Sequence, residues 1–427
     1  MEILAQIIMG ITLILMLIGR TPLYTTAIIG STIAALVYGI PIVGEADVTL
    51  KSLVAGGLNP VIADMAGVLI FIGVMEHAGY LDVLVRGIIR LGNKISGGPG
   101  VATSGGIAAG AIGAFTGFTQ PAITGVVTGP ASVKLGADPN QSAGTHAHAG
   151  HLGNFAGFTH PTLLAIMGLV GINWGWINVI GLVTALSIFT VSFLRMRRWM
   201  AKRSGVEISH EDRVEAESAF AKKAGDAPIW LATLPFLFLV VGFSLGYPVF
   251  LVGFAVSVLV MIMARLNAAK AEAAMLESVK RVAVPLIATV GFLFMSGVIG
   301  SIGITELMAG WFEPALSAAP ILTLVIVSAI AGLLTQSNSA SAAIILPFVS
   351  LVLAQDPGIS GLAVVAAAAG PTAVMQYFLT GGPVAALATT IPVIPGSELK
   401  KANRFQRPSQ LVGLAVVAVI AVAIGGF

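Results

Sequence analysis

Long runs without a charged residue constrain this chain more than any other feature of its sequence. Segments 3–18 and 411–424 contain no Asp, Glu, Lys or Arg, and similar runs recur between them. A bilayer core requires about 20 predominantly apolar residues per helix, and only helices and closed barrels span it with all backbone groups paired. Charged residues make up 10% of the 427 residues, against about 25% in soluble domains. The sequence therefore predicts an all-α polytopic membrane protein.

Composition also excludes several classes of function. The chain has no cysteine, which removes disulfides, thiolate metal sites and cysteine nucleophiles. No nucleotide-binding motif accompanies the apolar runs, so ATP does not drive the protein directly. The net charge of +3 is assigned to topology-determining basic loops rather than to a nucleic-acid partner. Because Glu2 replaces the basic start of a signal peptide, the first run is interpreted as a retained span.

The distribution of basic residues predicts the orientation in a bacterial inner membrane. Segment 195–228 carries eight Lys and Arg and is predicted to be a cytoplasmic linker between membrane repeats 1–194 and 229–427. An amphipathic stretch at 79–95 should lie on the cytoplasmic surface, and its counterpart at 303–317, which lacks Lys and Arg, outside. This path gives about ten full spans with both termini outside.

Weak internal similarity supports a duplication. Residues 73–75 (Gly-Val-Met) match 297–299 (Gly-Val-Ile) at an offset of 224, and Gly113–Thr116 match Gly332–Thr335 at an offset of 219. An Asp-Pro pair follows later in each half. The second half starts from the opposite side of the membrane in the predicted topology. We therefore expect two inverted-topology repeats.

Two pairs of segments break within the membrane. Segments 98–135 and 318–354 are too long for one span and carry polar residues midway, which predicts two re-entrant hairpins whose irregular tips line a cavity. Segments 141–173 and 360–396 follow them and are interrupted near prolines, which predicts two broken helices.

Paired broken helices in inverted halves indicate a transporter's binding site. Helix N-termini can hold an anion without a basic side chain, and no Lys or Arg occurs in 135–194 or 282–399. The alternative for a buried hydroxyl is a structural role, since Ser and Thr side chains commonly hydrogen-bond between membrane helices. The residues predicted to bind substrate are Thr116, Thr119, Gln120, Asn154, Thr159, His160, Ser337, Asn338, Ser339, Gln376 and Thr380.

The coupling ion and the histidines leave alternatives open. Candidates for Na⁺ or proton coupling are Thr335, Ser337, Asn338, His160 and Asp64. Asp64 is an ionisable group within a predicted span, although it is close enough to the outer end to reach water. His146, His148 and His151 suggest a metal site, but only the last two share a helix face and no carboxylate accompanies them. No cofactor or metal beyond a possible Na⁺ is therefore predicted.

The predicted layout, with inverted repeats, two re-entrant hairpins and polar hairpin tips, resembles that of the ion transporter superfamily. The segment Ser337–Ser341, the break before Pro383 and the basic loop that follows are similar to anaerobic C4-dicarboxylate transporters, whereas Gly157–Pro161 is similar to gluconate-type permeases. The resemblance implies a homodimer with a scaffold and a moving transport domain that works by an elevator mechanism. The superfamily's Ser-Asn-Thr pattern is matched only at 337–339, where Ser339 replaces the Thr; Thr119-Gln-Pro stands at the first tip.

The predicted function is secondary active transport of a small organic acid anion, C4-dicarboxylate-like or a sugar acid. Coupling to Na⁺ or H⁺ and exchange are both left open. The alternative within the same class is a Na⁺/H⁺ antiporter that uses Asp64 and His160. The alternative from another class is an intramembrane hydrolase, but no base–nucleophile pair is identifiable in the sequence, so the chain is not predicted to be an enzyme.

Overall fold

The computed structural model describes residues 1–18, 21–58, 61–116, 119, 121–203, 208–280, 283–379 and 386–426. Regular structure within these ranges is entirely helical. Up to the linker, the helices are α1 (Glu2–Ile18), α2 (Leu23–Tyr38), α3 (Leu50–Gly57), α4 (Val61–His77), α5 (Tyr80–Thr116), α6 (Ala122–Lys134), α7 (Pro139–Ala147), α8 (Ala149–Phe155), α9 (Pro161–Val170) and α10 (Trp176–Lys202).

The rest of the chain repeats this order of elements after one linker helix. The helices are α11 (His210–Ser218), α12 (Ile229–Ser244), α13 (Val249–Met263), α14 (Ala268–Lys280), α15 (Ala283–Ser301), α16 (Ile304–Ala318), α17 (Pro320–Thr335), α18 (Asn338–Gln355), α19 (Gly361–Met375), α20 (Ala386–Thr390) and α21 (Leu399–Gly425). A short 3₁₀ turn, Ile391–Val393, follows α20.

The two halves pack on each other reciprocally. Helix α4 packs against α13 and α14, and its counterpart α15 packs against α2 and α3. Within each half, the helix before the break packs on the hairpin: α8 on α5, and α19 on α17. The long final helices α10 and α21 also pack on one another. This exchange of contacts is the pattern expected of two related halves; that the halves are inverted-topology repeats stays a prediction.

Backbone irregularities lie where the sequence changes character. Helix α5 contains non-helical residues at Ser96 (φ −160°) and Gly97 (φ +51°), between the predicted surface stretch and the predicted first hairpin. The left-handed φ at Gly97 is one that residues with a side chain rarely adopt. In the second half, Leu286–Ser301 and Ile304–Ala318 meet at 79°. The helix pairs α5–α6 and α17–α18 then pack side by side.

Small side chains allow α19 to pass through the centre of the molecule. Residues 363–375 are all buried, and this segment is mostly alanine, valine and glycine. Small residues let helix backbones approach closely without lipid between them. At Gly370, an added Cβ would lie 2.4 Å from Val417 of α21, so glycine permits this crossing.

The outer surface is apolar. On α12 and α13, Leu237, Phe238, Leu251 and Phe254 are exposed, and apolar surface of this extent suits contact with lipid. Within the described ranges, four helical stretches are long and apolar enough to cross a bilayer, or five if the bent α15–α16 pair is one span. Shorter apolar helices of 10–17 residues supply the remaining hydrophobic sequence. The predicted total of about ten spans stays a prediction.

Candidate functional site

The tip of the second hairpin is a sharp polar turn between α17 and α18. Gln336 adopts a left-handed conformation (φ +50°) that ends α17. The Ser337 hydroxyl then caps α18 by accepting a hydrogen bond from the backbone N–H of Ala340 at 3.3 Å. The Thr335 hydroxyl lies 2.7 Å from the Ser341 hydroxyl and closes the turn. Some of the polar side chains at this tip therefore stabilise the conformation of the turn.

Asn338, the first residue of α18, joins this tip to both broken helices. Its backbone N–H donates to Oε1 of Gln376 at 3.0 Å, and its carbonyl accepts from the Thr162 hydroxyl at 2.9 Å. Its side-chain Nδ2 lies 3.3 Å from Nδ1 of His160. The structure thus brings together three of the predicted residues, Asn338, His160 and Gln376, which are separated by up to 216 positions (376 − 160).

The side-chain oxygen of Asn338 stands out in this group. Asn338 is 3% exposed, and its Oδ1 has no hydrogen-bond partner among the described residues. Buried polar atoms in folded proteins are almost always paired, and an exception calls for an explanation such as a ligand, ion or water. Because Nδ2 donates to Nδ1 of His160, the ring proton of that histidine belongs on Nε2, which is then a donor.

Two helix N-termini converge at the same place. Helix α9 begins at Pro161 directly after His160, and α18 begins at Asn338. Their first turns are joined by the bond between Thr162 and the carbonyl of Asn338. The N-terminal end of a helix presents free N–H groups and about half a unit of positive charge. This arrangement can therefore hold a carboxylate although both segments that form it contain no Lys or Arg.

The first hairpin tip is tied to both breaks through Asn154. The Thr119 hydroxyl donates to Oδ1 of Asn154 at 3.4 Å, and Nδ2 of Asn154 donates to the Tyr377 hydroxyl at 3.0 Å. Gly153 makes this approach possible, because an added Cβ would lie 1.8 Å from the Thr119 hydroxyl oxygen. Tyr377 was not among the predicted residues; its signal is a polar aromatic directly after Gln376 at the break.

The other predicted residues lie in different surroundings. Thr159 donates to the carbonyl of Ala114 at 3.4 Å, and so holds the loop before α9 against the end of α5. Thr116 donates to the carbonyl of Ile112 and lines an apolar cavity of about 630 Å³ between α4, α5, α6 and α12. Ser339 is half-buried on the first turn of α18. Gln120 and Thr380 lie outside the described residues.

Asp64 has a structural partner. Its carboxylate accepts a hydrogen bond from the backbone N–H of Phe250 at 3.1 Å, in the first turn of α13. A carboxylate at this position satisfies an unpaired N–H and interacts favourably with the helix dipole. The geometry therefore gives Asp64 a capping role, and its predicted part in coupling stays a prediction.

The histidines of α7 and α8 face different neighbours. Nε2 of His146 lies 2.6 Å from the Thr128 hydroxyl on α6, and Nε2 of His148 lies 2.7 Å from the Ser192 hydroxyl on α10. The rings of His148 and His151 are 5.3 Å apart. Among the described residues, no group of three His, Cys, Asp or Glu side chains is placed to hold a metal ion.

Comparison with known proteins identifies the fold. No protein-family model and no curated protein sequence matches the chain. Its structure is similar to that of MtrF from Neisseria gonorrhoeae, of a class of antimetabolite efflux pumps (TM-score 0.62, 15% identity, 95% of this chain and 96% of that one). It is also similar to the YdaH transporter of Alcanivorax borkumensis (TM-score 0.58, 16% identity, 88% and 86%). The chain is therefore an all-helical, multi-pass membrane protein with the fold of these transporters, which confirms the predicted fold class.

Proposed function

We propose that this protein is a secondary active transporter that carries a small organic acid anion, C4-dicarboxylate-like or a sugar acid, across the membrane. The observation that carries the proposal is the position of Asn338, which bonds to both broken helices and retains a buried, unpaired oxygen. The fold shared with two transporters supports the same class of function. The side chains at the breaks determine which substrate is bound, since a fold alone does not define the substrate.

The carboxylate of the substrate is assigned to the convergent N-termini of α9 and α18. There the free N–H groups and the Nε2–H of His160 supply donors, while Asn154 and Tyr377 supply neutral polar groups. Electrostatic interactions are stronger in this buried, low-dielectric region than in water. An anion can therefore be held with enough affinity for recognition and still be released, because no fixed cation neutralises it permanently.

A coupling cation is assigned to the second hairpin tip. Oδ1 of Asn338 and the backbone carbonyls around Thr335 and Ser337 are hard oxygen ligands of the kind that small metal cations prefer. A Na⁺ bound there would sit beside the substrate carboxylate, so each ligand would favour binding of the other. Exchange of one acid for another requires no such ion and is the uncoupled form of the same mechanism.

The moving part is assigned to the hairpins and broken helices. In the resemblance to the ion transporter superfamily these elements form a transport domain that moves against a scaffold, in a homodimer, by an elevator mechanism. Helices α1–α4 and α12–α15, which exchange contacts between the halves, are suited to the scaffold. The second hairpin tip contacts both breaks, the first tip contacts the first break, and Asn154 of that break bonds to Tyr377 of the second, which suits a unit that carries its site as one body.

A thermal-shift screen tests the proposal. Ligands that bind only the folded state raise its stability, and at concentrations well above Kd the increase follows the logarithm of the ratio of ligand concentration to Kd. Small mono- and dicarboxylates and sugar acids are added to the purified protein with Na⁺ or with choline as the cation. At least one acid is expected to raise the unfolding temperature, and more strongly with Na⁺ if Na⁺ couples. A response to Na⁺ and pH without a response to any acid supports the Na⁺/H⁺ antiporter instead.

A further inference from the structure

A second polar cluster lies behind the binding site, where α8, α10, α19 and α21 pack together. Its members are buried, with exposures of 0–1%: His148, His151, Ser192, Ser409 and Gln410. The Ser192 hydroxyl lies 2.7 Å from Nε2 of His148 and 2.8 Å from the Ser409 hydroxyl. Nothing in the substrate-binding proposal uses this cluster. Two imidazoles in such a place call for a separate explanation.

The hydrogen bonds of His151 define its neutral form. Its Nδ1 lies 3.0 Å from the carbonyl oxygen of Ala373, which can only accept, so Nδ1 carries the proton. Its Nε2 faces the amide Nε2 of Gln410 at 3.5 Å, which can only donate, so the ring Nε2 presents its lone pair. His151 is therefore a neutral imidazole with one basic nitrogen directed at an amide.

Gln410 can also meet the protonated form. Its Oε1 is buried and has no hydrogen-bond partner in the described part of the chain. Rotation of the amide by half a turn exchanges Oε1 and Nε2, after which Oε1 would accept a hydrogen bond from a protonated Nε2 of His151. The bond from Nδ1 to Ala373 is the same in both forms. A pair that satisfies the imidazole before and after protonation, at little rearrangement, is suited to reversible proton binding.

The cluster connects to the substrate site on one side and to the basic ends of two helices on the other. The Tyr377 ring lies 5.2 Å from that of His151, and its hydroxyl accepts from Asn154 of the first break. On the opposite side, Arg195 lies one turn beyond Ser192 on α10 and donates to the carbonyl of Phe405. His151 thus lies between the proposed site and the predicted cytoplasmic side.

The ionisable groups near His151 are supplied by several of the helices around it. They are His148 directly before α8, His146 on α7, Tyr377 after α19, Arg195 on α10 and Arg407 on α21. Residues 98–116 of α5 contain none. Both arginines donate to backbone carbonyls, of Phe405 and Phe378. No carboxylate is hydrogen-bonded to the cluster in the described ranges, which leaves the substrate anion as the counter-charge for an added proton.

From this geometry we infer that His151, paired with Gln410, binds the proton that accompanies the substrate anion. The inference rests on the proposed function. A proton from water forms a bond to the lone pair of Nε2, and the imidazolium offsets one negative charge of the acid during transport. The same N–H bond breaks on the other side and returns the proton to water, so one proton moves with each acid and nothing is oxidised or reduced.

Reconstituted protein carrying His151→Gln tests the inference. Glutamine replaces both hydrogen-bonding ends of the ring but cannot be protonated. With labelled succinate, fumarate and gluconate, the variant is expected to retain counterflow. When an acid-outside pH gradient drives uptake, its accumulation of label is expected to be at least tenfold lower than that of the wild type. His146→Gln is the matched control, because His146 is as buried and lies outside the pair; it is expected to accumulate normally. Equal accumulation by His151→Gln and wild type overturns the inference.

Nitrogen-15 NMR of the histidine-labelled wild-type protein separates this inference from the proposed function. The signal of His151 is identified by its absence in His151→Gln, and its Nε2 resonance is expected to change from lone-pair to protonated between pH 8 and pH 4. If no acid is transported, the proposed function fails while this titration still decides whether the proton site exists. An Nε2 that stays unprotonated over the whole range overturns the inference, whatever the transport data give.

Discussion

Replacement of Asn338 by alanine separates the effect on stability from the effect on transport. The substitution removes one neutral hydrogen bond, from Nδ2 to His160 at 3.3 Å, which contributes about 1 kcal/mol to stability. It also removes the buried, unpaired Oδ1, whose desolvation costs about 1–3 kcal/mol. The backbone bonds to Gln376 and Thr162 remain, since they use the peptide groups. The substitution also takes the donor away from Nδ1 of the buried His160, which costs about 1–3 kcal/mol and offsets the gain from removing Oδ1. The net change in unfolding free energy is therefore small.

The expected effect on ligand binding is larger. A hydrogen bond or ion contact to a charged partner is worth about 1.5–3 kcal/mol, which corresponds to about a 10- to 100-fold change in Kd. If Oδ1 of Asn338 contacts the coupling cation or the substrate, Asn338→Ala should weaken binding by this factor while the unfolding temperature stays within a few degrees of the wild type.

The assay combines thermal-shift titration with counterflow in proteoliposomes. Ser257→Ala is the control, because the Ser257 hydroxyl is buried and, among the described residues, donates its hydrogen bond to the carbonyl of Gly253 in its own helix, at 2.6 Å. That variant is expected to transport normally. Unchanged affinity and transport in correctly folded Asn338→Ala would show that the unpaired oxygen has no part in binding.

Two further predictions test packing and charge. In Gly150→Ala the new methyl lies 2.2–2.6 Å from ring atoms of Tyr377, so we expect a loss of about 1–3 kcal/mol and slower transport; an unchanged unfolding temperature would contradict the predicted clash. The Lys223 backbone N–H and the nearby Arg86 guanidinium, 2.6 Å away, lower the pKa of Asp226. Its stabilising effect should therefore be present above about pH 4 and disappear as the pH falls through the lowered pKa. Asp226→Asn should reduce the unfolding temperature at neutral pH only; an equal reduction at all pH values would exclude ionisation as the cause.

The breaks could be predicted from sequence because their causes are local. Pro161 cannot donate a hydrogen bond within a helix, and the consecutive polar residues 335–339 cannot lie in lipid. Accordingly, α9 begins at Pro161 and α18 begins at Asn338. The all-helical membrane fold could be predicted for a similar reason, since hydropathy and the need to pair every backbone group leave few alternatives.

The partners within the site could not be predicted, because they depend on tertiary packing. Nothing near Asn338 in sequence indicates that His160 lies beside it, 178 positions away. In the sequence, Tyr377 looks like an aromatic packing residue, and only its bond to Asn154 identifies it as part of the site. Asp64 follows the rule that a charge in a span indicates function, but a helix cap 186 positions away explains its placement.

Counterflow in proteoliposomes is the decisive measurement of transport, since it requires only a site that alternates between the two sides of the membrane. Proteoliposomes are preloaded with unlabelled succinate, fumarate or gluconate and diluted into a trace of the same labelled acid, without ATP or an imposed ion gradient. We expect a transient accumulation of label above the equilibrium level for at least one acid, and none in protein-free liposomes. If folded, reconstituted protein gives no accumulation with any of these acids or with related carboxylates, the claim that this protein transports small organic acids is contradicted.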